Sequence, residues 1–134
     1  CINCQQCQKD HHCHIQDDMQ NLYSLFLKCD VLVFASPLYF WSLSSMVKAF
    51  IDRLYAISTH DEYPFKETVL LMTCGSKSSY AFDQPLAFYH FLNKQLKWKS
   101  LGVVLAGGCK GKVNEKHLDQ EKYNEAYRLG NRMG

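Results

Sequence analysis

The stretch that decides the fold is SPLYFWSLSSMVKAFIDRLY, residues Ser36–Tyr55. It follows the apolar run VLVFA (Val31–Ala35), which is rich in β-branched residues and is typical of a parallel strand covered on both faces. Pro37 cannot donate a ladder hydrogen bond, so we expect the strand to end there. Apolar residues then recur at helical spacing, which predicts an amphipathic helix: Leu43, Met46, Val47, Phe50, Ile51 and Leu54.

The turn between this strand and this helix carries four large side chains, Leu38, Tyr39, Phe40 and Trp41. Ser42 or Ser44 can cap the helix that follows. Open α/β sheets bind ligands at the carboxyl ends of their strands, where this turn lies. The turn is therefore a candidate binding site, and the alternative is that its aromatic side chains only pack against the core.

Length and composition predict a single domain that spans residues 1–134. The net charge of +2 comes from 15 basic and 13 acidic residues without a long block of either sign, so nothing indicates a nucleic acid or membrane partner. No apolar run approaches the roughly 20 residues of a membrane span, and no signal peptide is visible. The seven cysteines favour a reducing compartment with metal or redox use over a disulfide scaffold, and we expect a cytoplasmic protein.

The first residues, CINCQQCQKDHHCHIQDDM (1–19), hold four cysteines: Cys1, Cys4, Cys7 and Cys13. Such spacing lets several thiolates converge on one iron-sulfur cluster. A zinc ion and unligated thiols are the two alternatives. We expect residues 1–16 to form a cysteine-rich loop within the domain, with three solvated histidines, His11, His12 and His14.

Two acidic residues, Asp17 and Asp18, precede the next apolar helical pattern, Met19–Leu27. Carboxylates at a helix start cap it and complement its dipole, so we assign them no acid-base chemistry. Lys48 and Asp52 lie one helical turn apart and are expected to form a surface pair.

Three further segments complete the alternating pattern. Thr68–Thr73 and Leu101–Ala106 are short buried strands, and Tyr80–Lys97 is a helix in which Pro85 is tolerated only in the first turn. Residues 57–66 form a polar connecting loop. Gly75 follows the first of these strands, where a glycine allows close approach of the backbone to a ligand or simply forms a tight turn.

Three groups of residues resemble the NAD(P)H-dependent FMN reductase group of flavodoxin-like proteins, which includes the iron-sulfur flavoproteins. They are Cys1, Cys4, Cys7, Cys13, Asp17, Asp18 and Met19; Ser36, Pro37, Tyr39, Lys48, Phe50, Ile51, Asp52 and Arg53; and Ala126, Tyr127, Leu129 and Gly130. Asn3 departs from the pattern, because the family often has glycine before the second cysteine.

The resemblance implies an α/β, flavodoxin-like parallel sheet of order 2-1-3-4-5 with helices on both faces. The strands here would be the third, fourth and fifth. The first strand and its phosphate-binding turn are not found in residues 1–30. We therefore expect the C-terminal part of a longer protein, truncated at its N-terminus, or a strand edge covered by a partner chain.

The resemblance also implies a flavin site. The FMN-contacting residues would be Ser36, Pro37, Leu38, Tyr39, Phe40, Trp41, Thr73, Cys74 and Gly75. In the iron-sulfur branch, Cys1, Cys4, Cys7 and Cys13 would hold a [4Fe–4S] cluster. The flavin performs the redox chemistry, so no side chain is named as a catalytic acid or base.

The expected function is an FMN-dependent oxidoreductase that takes a hydride from NADH or NADPH and passes electrons to a small-molecule or protein acceptor. The resemblance further implies a homo-oligomer, either a dimer or a tetramer. The alternatives are an electron-transfer iron-sulfur flavoprotein without small-molecule turnover, and a flavin-less or metal-binding module.

Overall fold

The computed structural model describes residues 1–10, 12–58, 62–109 and 119–133 of the chain. Helices and strands alternate along it, with two short 3₁₀ turns at Leu54–Ile57 and Ser79–Phe82. The elements are α1 (Gln6–Asp10), α2 (Met19–Lys28), β1 (Val31–Pro37), α3 (Ser45–Arg53), β2 (Glu67–Thr73), α4 (Asp83–Leu96), β3 (Lys99–Ala106) and α5 (Gln120–Gly130). The predicted α/β class is confirmed.

The three strands found in the described residues form one parallel sheet in the order β1-β2-β3. β1 pairs with β2 from Val31 opposite Glu67 to Pro37 opposite Thr73, so the ladder ends at the proline as predicted. β2 and β3 pair with one register shift, between Thr68 and Val69. The carboxyl ends of all three strands therefore meet at one edge of the sheet.

Helices cover both faces of the sheet, as predicted. On one face, side chains of α2, α3 and α4 pack onto β1 and β2 in the largest apolar core, around Phe26, Phe34, Leu70, Met72 and Tyr89. On the other face, Leu129 of α5 packs against Val69 and Val104. Burial of these side chains supplies the main driving force for folding.

A buried polar network fixes α4 against the sheet. The Thr68 hydroxyl donates to Asn93 Oδ1 at 2.7 Å and lies 2.8 Å from the Tyr89 hydroxyl, which lies 2.9 Å from Ser100 Oγ. Hydrogen bonds among buried polar groups offset the cost of removing them from water and fix the orientation of a helix. The network sets the position of α4 relative to β2 and β3.

The prediction that β1 is covered on both faces is wrong. Val33 is 44% exposed, and Ala35 and Pro37 on the same face are also exposed. The reason is that α5 packs on β3, where a Cβ at Gly102 would lie 2.8 Å from Leu129, and leaves the β1 half of that face uncovered. No described strand pairs with the outer edge of β1.

Several predicted boundaries move by a few residues. The predicted helix Tyr80–Lys97 begins as a 3₁₀ turn and becomes α4 at Asp83, with Pro85 in its first turn. The helix ends at Leu96, and Lys97 caps it with a left-handed backbone (φ 57°). The predicted cysteine-rich loop contains the short helix α1.

Two predictions fall partly outside the described residues, namely His11 and positions 59–61 of the connecting loop. Among the residues that the structure describes, no helix is long and apolar enough to cross a membrane.

Candidate functional site

An aromatic turn, residues Tyr39–Ser42, joins β1 to α3. Tyr39 and Ser42 pair through two backbone hydrogen bonds of 3.1 and 3.0 Å. The turn is anchored by the Leu38 amide, which donates to the Thr73 carbonyl of β2 at 2.8 Å. The chain bends sharply at the carboxyl edge of the sheet, where ligands of open α/β sheets bind.

The two central residues of the aromatic turn have left-handed backbones, with φ of 47° at Phe40 and 57° at Trp41. Glycine and asparagine normally occupy such positions, and a large side chain there costs roughly 1–2 kcal/mol. The strain is not offset by burial, since Phe40 is 94% exposed. Backbone strain that persists beside a sheet edge is a feature of functional sites.

Side chains that flank the aromatic turn hold it in place. The Ser36 hydroxyl accepts from the Ser44 amide at 2.8 Å and donates to the Pro37 carbonyl at 2.8 Å. The Ser44 hydroxyl in turn caps α3 by accepting from the Val47 amide at 3.5 Å. Of the two predicted caps, Ser42 and Ser44, the residue that caps α3 is therefore Ser44. Ser36 instead stabilises the turn through its hydrogen bond with the Ser44 amide.

A cavity of about 430 Å³ lies between the aromatic turn and the loop that follows β2. It brings together five of the predicted site residues: Leu38, Phe40, Trp41, Cys74 and Gly75. Its volume falls within the range of small-molecule sites, and its mixture of aromatic side chains and backbone suits a flat, largely apolar ligand. We call it the edge cavity.

The remaining predicted residues lie elsewhere. Ser36, Pro37 and Thr73 line a second groove of about 400 Å³ on the open face of the sheet, beside Lys122 and Tyr123 of α5. Tyr39 lies at the base of the aromatic turn and is 62% exposed. Ser36, Pro37 and Thr73 lie within the ends of β1 and β2, where Pro37 pairs with Thr73, whereas the five predicted residues that line the edge cavity follow the two strands.

The edge cavity also contains three residues that were not predicted: Ser76, Tyr80 and Ala81. All three lie between Gly75 and the start of α4. Their polar and turn-forming sequence, Ser76–Ser79, marks a loop at the same sheet edge, and that signal could have extended the predicted site.

A second candidate site gathers the four N-terminal cysteines. A cavity of about 20 Å³ is lined by Cys1, Cys4, Cys7 and Cys13 together with Arg53, and we call it the cysteine cavity. The N-terminal segment reaches it by packing α1 on the 3₁₀ turn after α3, where Gln8 donates to the Tyr55 carbonyl at 3.2 Å. Residues that are distant in sequence from Arg53 thus meet it in space.

Arg53 organises the cysteine cavity. Its guanidinium donates to both Asp17 carboxylate oxygens, at 2.7 and 3.1 Å, and to Cys13 Sγ at 3.4 Å. The Tyr23 hydroxyl donates to the Arg53 carbonyl at 3.0 Å. The residue is only 8% exposed, and its Nε has no partner among the described residues.

This network changes the ionisation of its members. Hydrogen bonds from Arg53 hold the pKa of the Asp17 carboxyl below its ordinary value, and the same pair raises the pKa of Arg53. Burial raises the pKa of the Cys13 thiol, but hydrogen bonds from the Ile15 backbone and from Arg53 outweigh it, so the net pKa is lowered. Cys13 is the cysteine whose thiolate the fold favours.

The predicted role of Asp17 is therefore incomplete. Its Oδ1 accepts from the Met19 amide at 3.2 Å, which fits the predicted helix start, while Asp18 occupies the N-cap position without a side-chain bond. Its main contact is the bidentate pair with Arg53. No sequence pattern indicates that Asp17 and Arg53 meet. The predicted surface pair of Lys48 and Asp52 is confirmed.

Two residues with left-handed backbones lie in the cysteine segment, residues 1–16. Asn3 has a φ of 54°, and Gln5 has a φ of 62°. Asparagine is among the few side chains that adopt this backbone without much strain, whereas glycine does so freely. The departure at Asn3 thus preserves the backbone that a glycine would provide.

The donor set suits soft metal chemistry, because four thiols line one small cavity beside a cation. However, within the described residues no three His, Cys, Asp or Glu side chains lie close enough to hold a metal ion. Cys1 and Cys4 are exposed, and Cys4 Sγ lies 3.5 Å from His14 Nδ1. The cysteines are gathered but not arranged around a single ion.

Comparison with known proteins adds family evidence to this geometry. Residues 2–93 match the model of the NADPH-dependent FMN reductase family. An iron-sulfur flavoprotein of Archaeoglobus fulgidus is 31% identical over 94 residues, which cover 66% of this chain and 48% of that protein. A second iron-sulfur flavoprotein of the same organism is 28% identical over 135 residues, covering 99% of this chain and 58% of that protein.

Among solved structures, a flavone reductase aligns with a TM-score of 0.61 at 18% identity, covering 92% of this chain and 47% of that one. This likeness shows the flavodoxin-like fold. The chain spans about half the length of the two archaeal relatives. The family match covers more than half of the chain and includes the cysteine segment, β1, the aromatic turn and α3. The chain belongs to the NADPH-dependent FMN reductase family.

Proposed function

We propose that this chain forms part of an FMN-dependent oxidoreductase that takes a hydride from NADH or NADPH and passes electrons to a small-molecule or protein acceptor. The observation that carries the proposal is the strained aromatic turn beside the edge cavity. Family membership supports the same cofactor. Bound FMN would supply the redox chemistry, and the protein would position its ring and exclude water.

Within this proposal the edge cavity has a definite task. Leu38, Phe40 and Trp41 offer apolar surface to one side of a flat ring, and the Cys74–Gly75 backbone closes the other side. The hydrogen bonds that fix the backbone of the turn reduce the cost of ordering this backbone when a ligand binds. Because bound FMN would supply the redox chemistry, the proposal requires no side chain to act as a catalytic acid or base.

The test is titration of the chain with FMN and with riboflavin, which carries the ring without the phosphate, followed by flavin fluorescence. A Phe40→Ala/Trp41→Ala variant should weaken the binding of both ligands by about tenfold or more, since aromatic contacts contribute roughly 1–3 kcal/mol each. Phe91→Ala removes an exposed aromatic residue on α4, outside the edge cavity, and serves as the control. Equal binding by all three proteins would contradict the proposed ring site.

A second candidate, an electron-transfer protein that also holds a [4Fe–4S] cluster, is favoured by the cysteine cavity. Four thiols and the Arg53 hydrogen bond to Cys13 Sγ meet there, and hydrogen bonds to sulfur are one means of tuning cluster potentials. The names of the archaeal relatives support the same idea. Zinc and unligated thiols are the competing states of this cavity.

Elemental analysis of anaerobically purified protein decides among these states. Iron with acid-labile sulfide supports the cluster, zinc without sulfide supports a zinc site, and neither supports free thiols. Cys13→Ser should abolish bound metal, whereas Cys29→Ser, outside the cysteine cavity, should not. Steady-state oxidation of NADH or NADPH separates the enzyme from the electron carrier, because only the enzyme sustains turnover.

A further inference from the structure

Two cysteines outside the cysteine cavity lie next to each other in space. Cys74 directly follows β2, and Cys109 lies three residues beyond the end of β3. Both are free thiols; Cys74 is buried, and Cys109 is partly exposed. The seventh cysteine, Cys29, lies apart from both groups, at the end of α2.

The backbones of the two residues are joined directly. The Cys109 amide donates to the Cys74 carbonyl at 2.9 Å, and the Cys74 amide donates to the Ala106 carbonyl at 2.9 Å. Backbones linked in this way lie about 5 Å apart. This spacing between adjacent backbone segments is compatible with the Cα separation of roughly 4.4–6.8 Å that disulfides span.

Both thiols donate to carbonyl groups of the chain around this backbone link, and Cys74 Sγ donates to the Ser76 carbonyl at 3.2 Å. Cys109 Sγ donates to the Ala106 carbonyl at 3.3 Å, the same oxygen that accepts from the Cys74 amide. Cys74 Sγ lies 4.0 Å from the position that a Cβ would occupy at Gly107. Because Gly107 has no side chain, no Cβ occupies this space beside the Cys74 thiol.

We propose that Cys74 and Cys109 form a redox-active pair that closes to an intramolecular disulfide when the protein meets a peroxide-class oxidant. In this step the two S–H bonds break, one S–S bond forms, and the sulfurs lose two electrons. Hydrogen peroxide accepts the two electrons and two protons, its O–O bond breaks, and two molecules of water leave. Exchange with a small thiol reverses the step through a mixed disulfide.

The pair is a reversible modification site in the wall of the edge cavity, since Cys74 lines that cavity. A disulfide would tie the chain after β3 to the loop after β2. The inference does not depend on FMN binding, because it rests only on the two thiols and the backbone between them. It would stand even if the proposed flavin site were wrong.

The test treats the full chain with stoichiometric hydrogen peroxide, alkylates the remaining thiols, and maps the peptides by mass spectrometry before and after reduction. A Cys74–Cys109 cross-linked peptide should appear two hydrogens lighter than the separate peptides. Alkylation of both residues should fall by at least about tenfold and return after reduction, as expected for thiol–disulfide exchange.

Two variants sharpen the result. Cys109→Ser should remove the cross-link and leave Cys74 open to alkylation after peroxide treatment. Cys29→Ser should leave the cross-link unchanged and serves as the matched control. The inference is overturned if Cys74 and Cys109 oxidise separately to sulfinic or sulfonic acids, if they pair with other cysteines, or if both stay reduced while other thiols react.

Discussion

The aromatic turn and the cysteine cavity lie at the two ends of α3, and they are held by different kinds of interaction. The aromatic turn is fixed mainly by the backbone, through hydrogen bonds of Leu38 and Tyr39, and its side chains project outward. The cysteine cavity is fixed by one buried side chain, Arg53, which reaches both Asp17 and Cys13. The two regions should therefore respond to different mutations.

The largest expected effect is the loss of Arg53. Arg53→Ala removes the hydrogen bonds to Asp17 and Cys13 and leaves a gap in a buried region, so we expect a loss of about 2–4 kcal/mol in the free energy of unfolding. Urea denaturation measures it. Lys48→Ala removes an exposed cation from the same helix and should cost only about 0.3–0.5 kcal/mol.

This prediction also tests the independence of the two regions. Arg53→Ala should alter the alkylation rates of Cys4, Cys7 and Cys13 in the native protein. It should leave the binding of FMN and riboflavin at the edge cavity unchanged. If Arg53→Ala changed both the alkylation rates and flavin binding, α3 would couple the two regions more tightly than the contacts indicate.

Lowering the pH should reduce the stability of the protein by a smaller amount. The pKa of the Asp17 carboxyl is lowered by Arg53, so the unfolded chain binds a proton at this site before the folded protein does as the pH falls. The stability from the Asp17–Arg53 pair is thus present above the unfolded pKa of about 4 and is lost as the pH falls through the lowered folded value.

The measurement is the urea midpoint at several pH values between neutral and acid. Asp17→Asn should flatten the part of the pH dependence that comes from this pair. An identical pH profile for wild type and Asp17→Asn would contradict the assignment.

The aromatic turn should respond in the opposite sense. Phe40→Gly relieves a left-handed backbone while giving up little buried surface, so we expect a gain of about 0.5–1 kcal/mol in stability, after allowing for the greater freedom of glycine in the unfolded chain. Phe40→Ala keeps the strain and should show no such gain. Thermal denaturation of the two variants compares them, and a less stable Phe40→Gly protein would show that the turn is not strained.

The smallest effect is the corresponding change in the cysteine segment. Asn3 also has a left-handed backbone, but asparagine tolerates that conformation. Asn3→Gly should therefore change the free energy of unfolding by no more than about 0.5 kcal/mol. Thermal denaturation measures this change. A gain as large as that of Phe40→Gly would mean that backbone strain is shared equally by the two regions.

Sequence patterns predicted the fold well because its signals are local. Val31–Ala35, Thr68–Thr73 and Leu101–Ala106 are continuous apolar runs, and all three are strands in the observed order. The open face of β1 could not be predicted, because an apolar run does not reveal whether a helix covers it. Ion pairs between residues that are distant in sequence could not be predicted either, and the pair of Arg53 and Asp17 is an example.

The candidate site was predicted only in part for a similar reason. The sequence identified the turn and the glycine loop, and these meet at the edge cavity. It could not separate Ser36, Pro37 and Thr73 from that cavity, since the groove that they line depends on how much of the sheet α5 leaves uncovered. Nor could it show the left-handed backbone at Phe40 and Trp41, because aromatic residues rarely adopt it.

The position of α3 has one consequence for any charge that either region acquires. Nine residues at 1.5 Å each give the helix a length of roughly 13 Å. Two unit charges at that distance interact by about 1 kcal/mol at an effective dielectric constant near 20. A single electron added at one end would therefore change the energy of adding a second at the other end, without any movement of the chain.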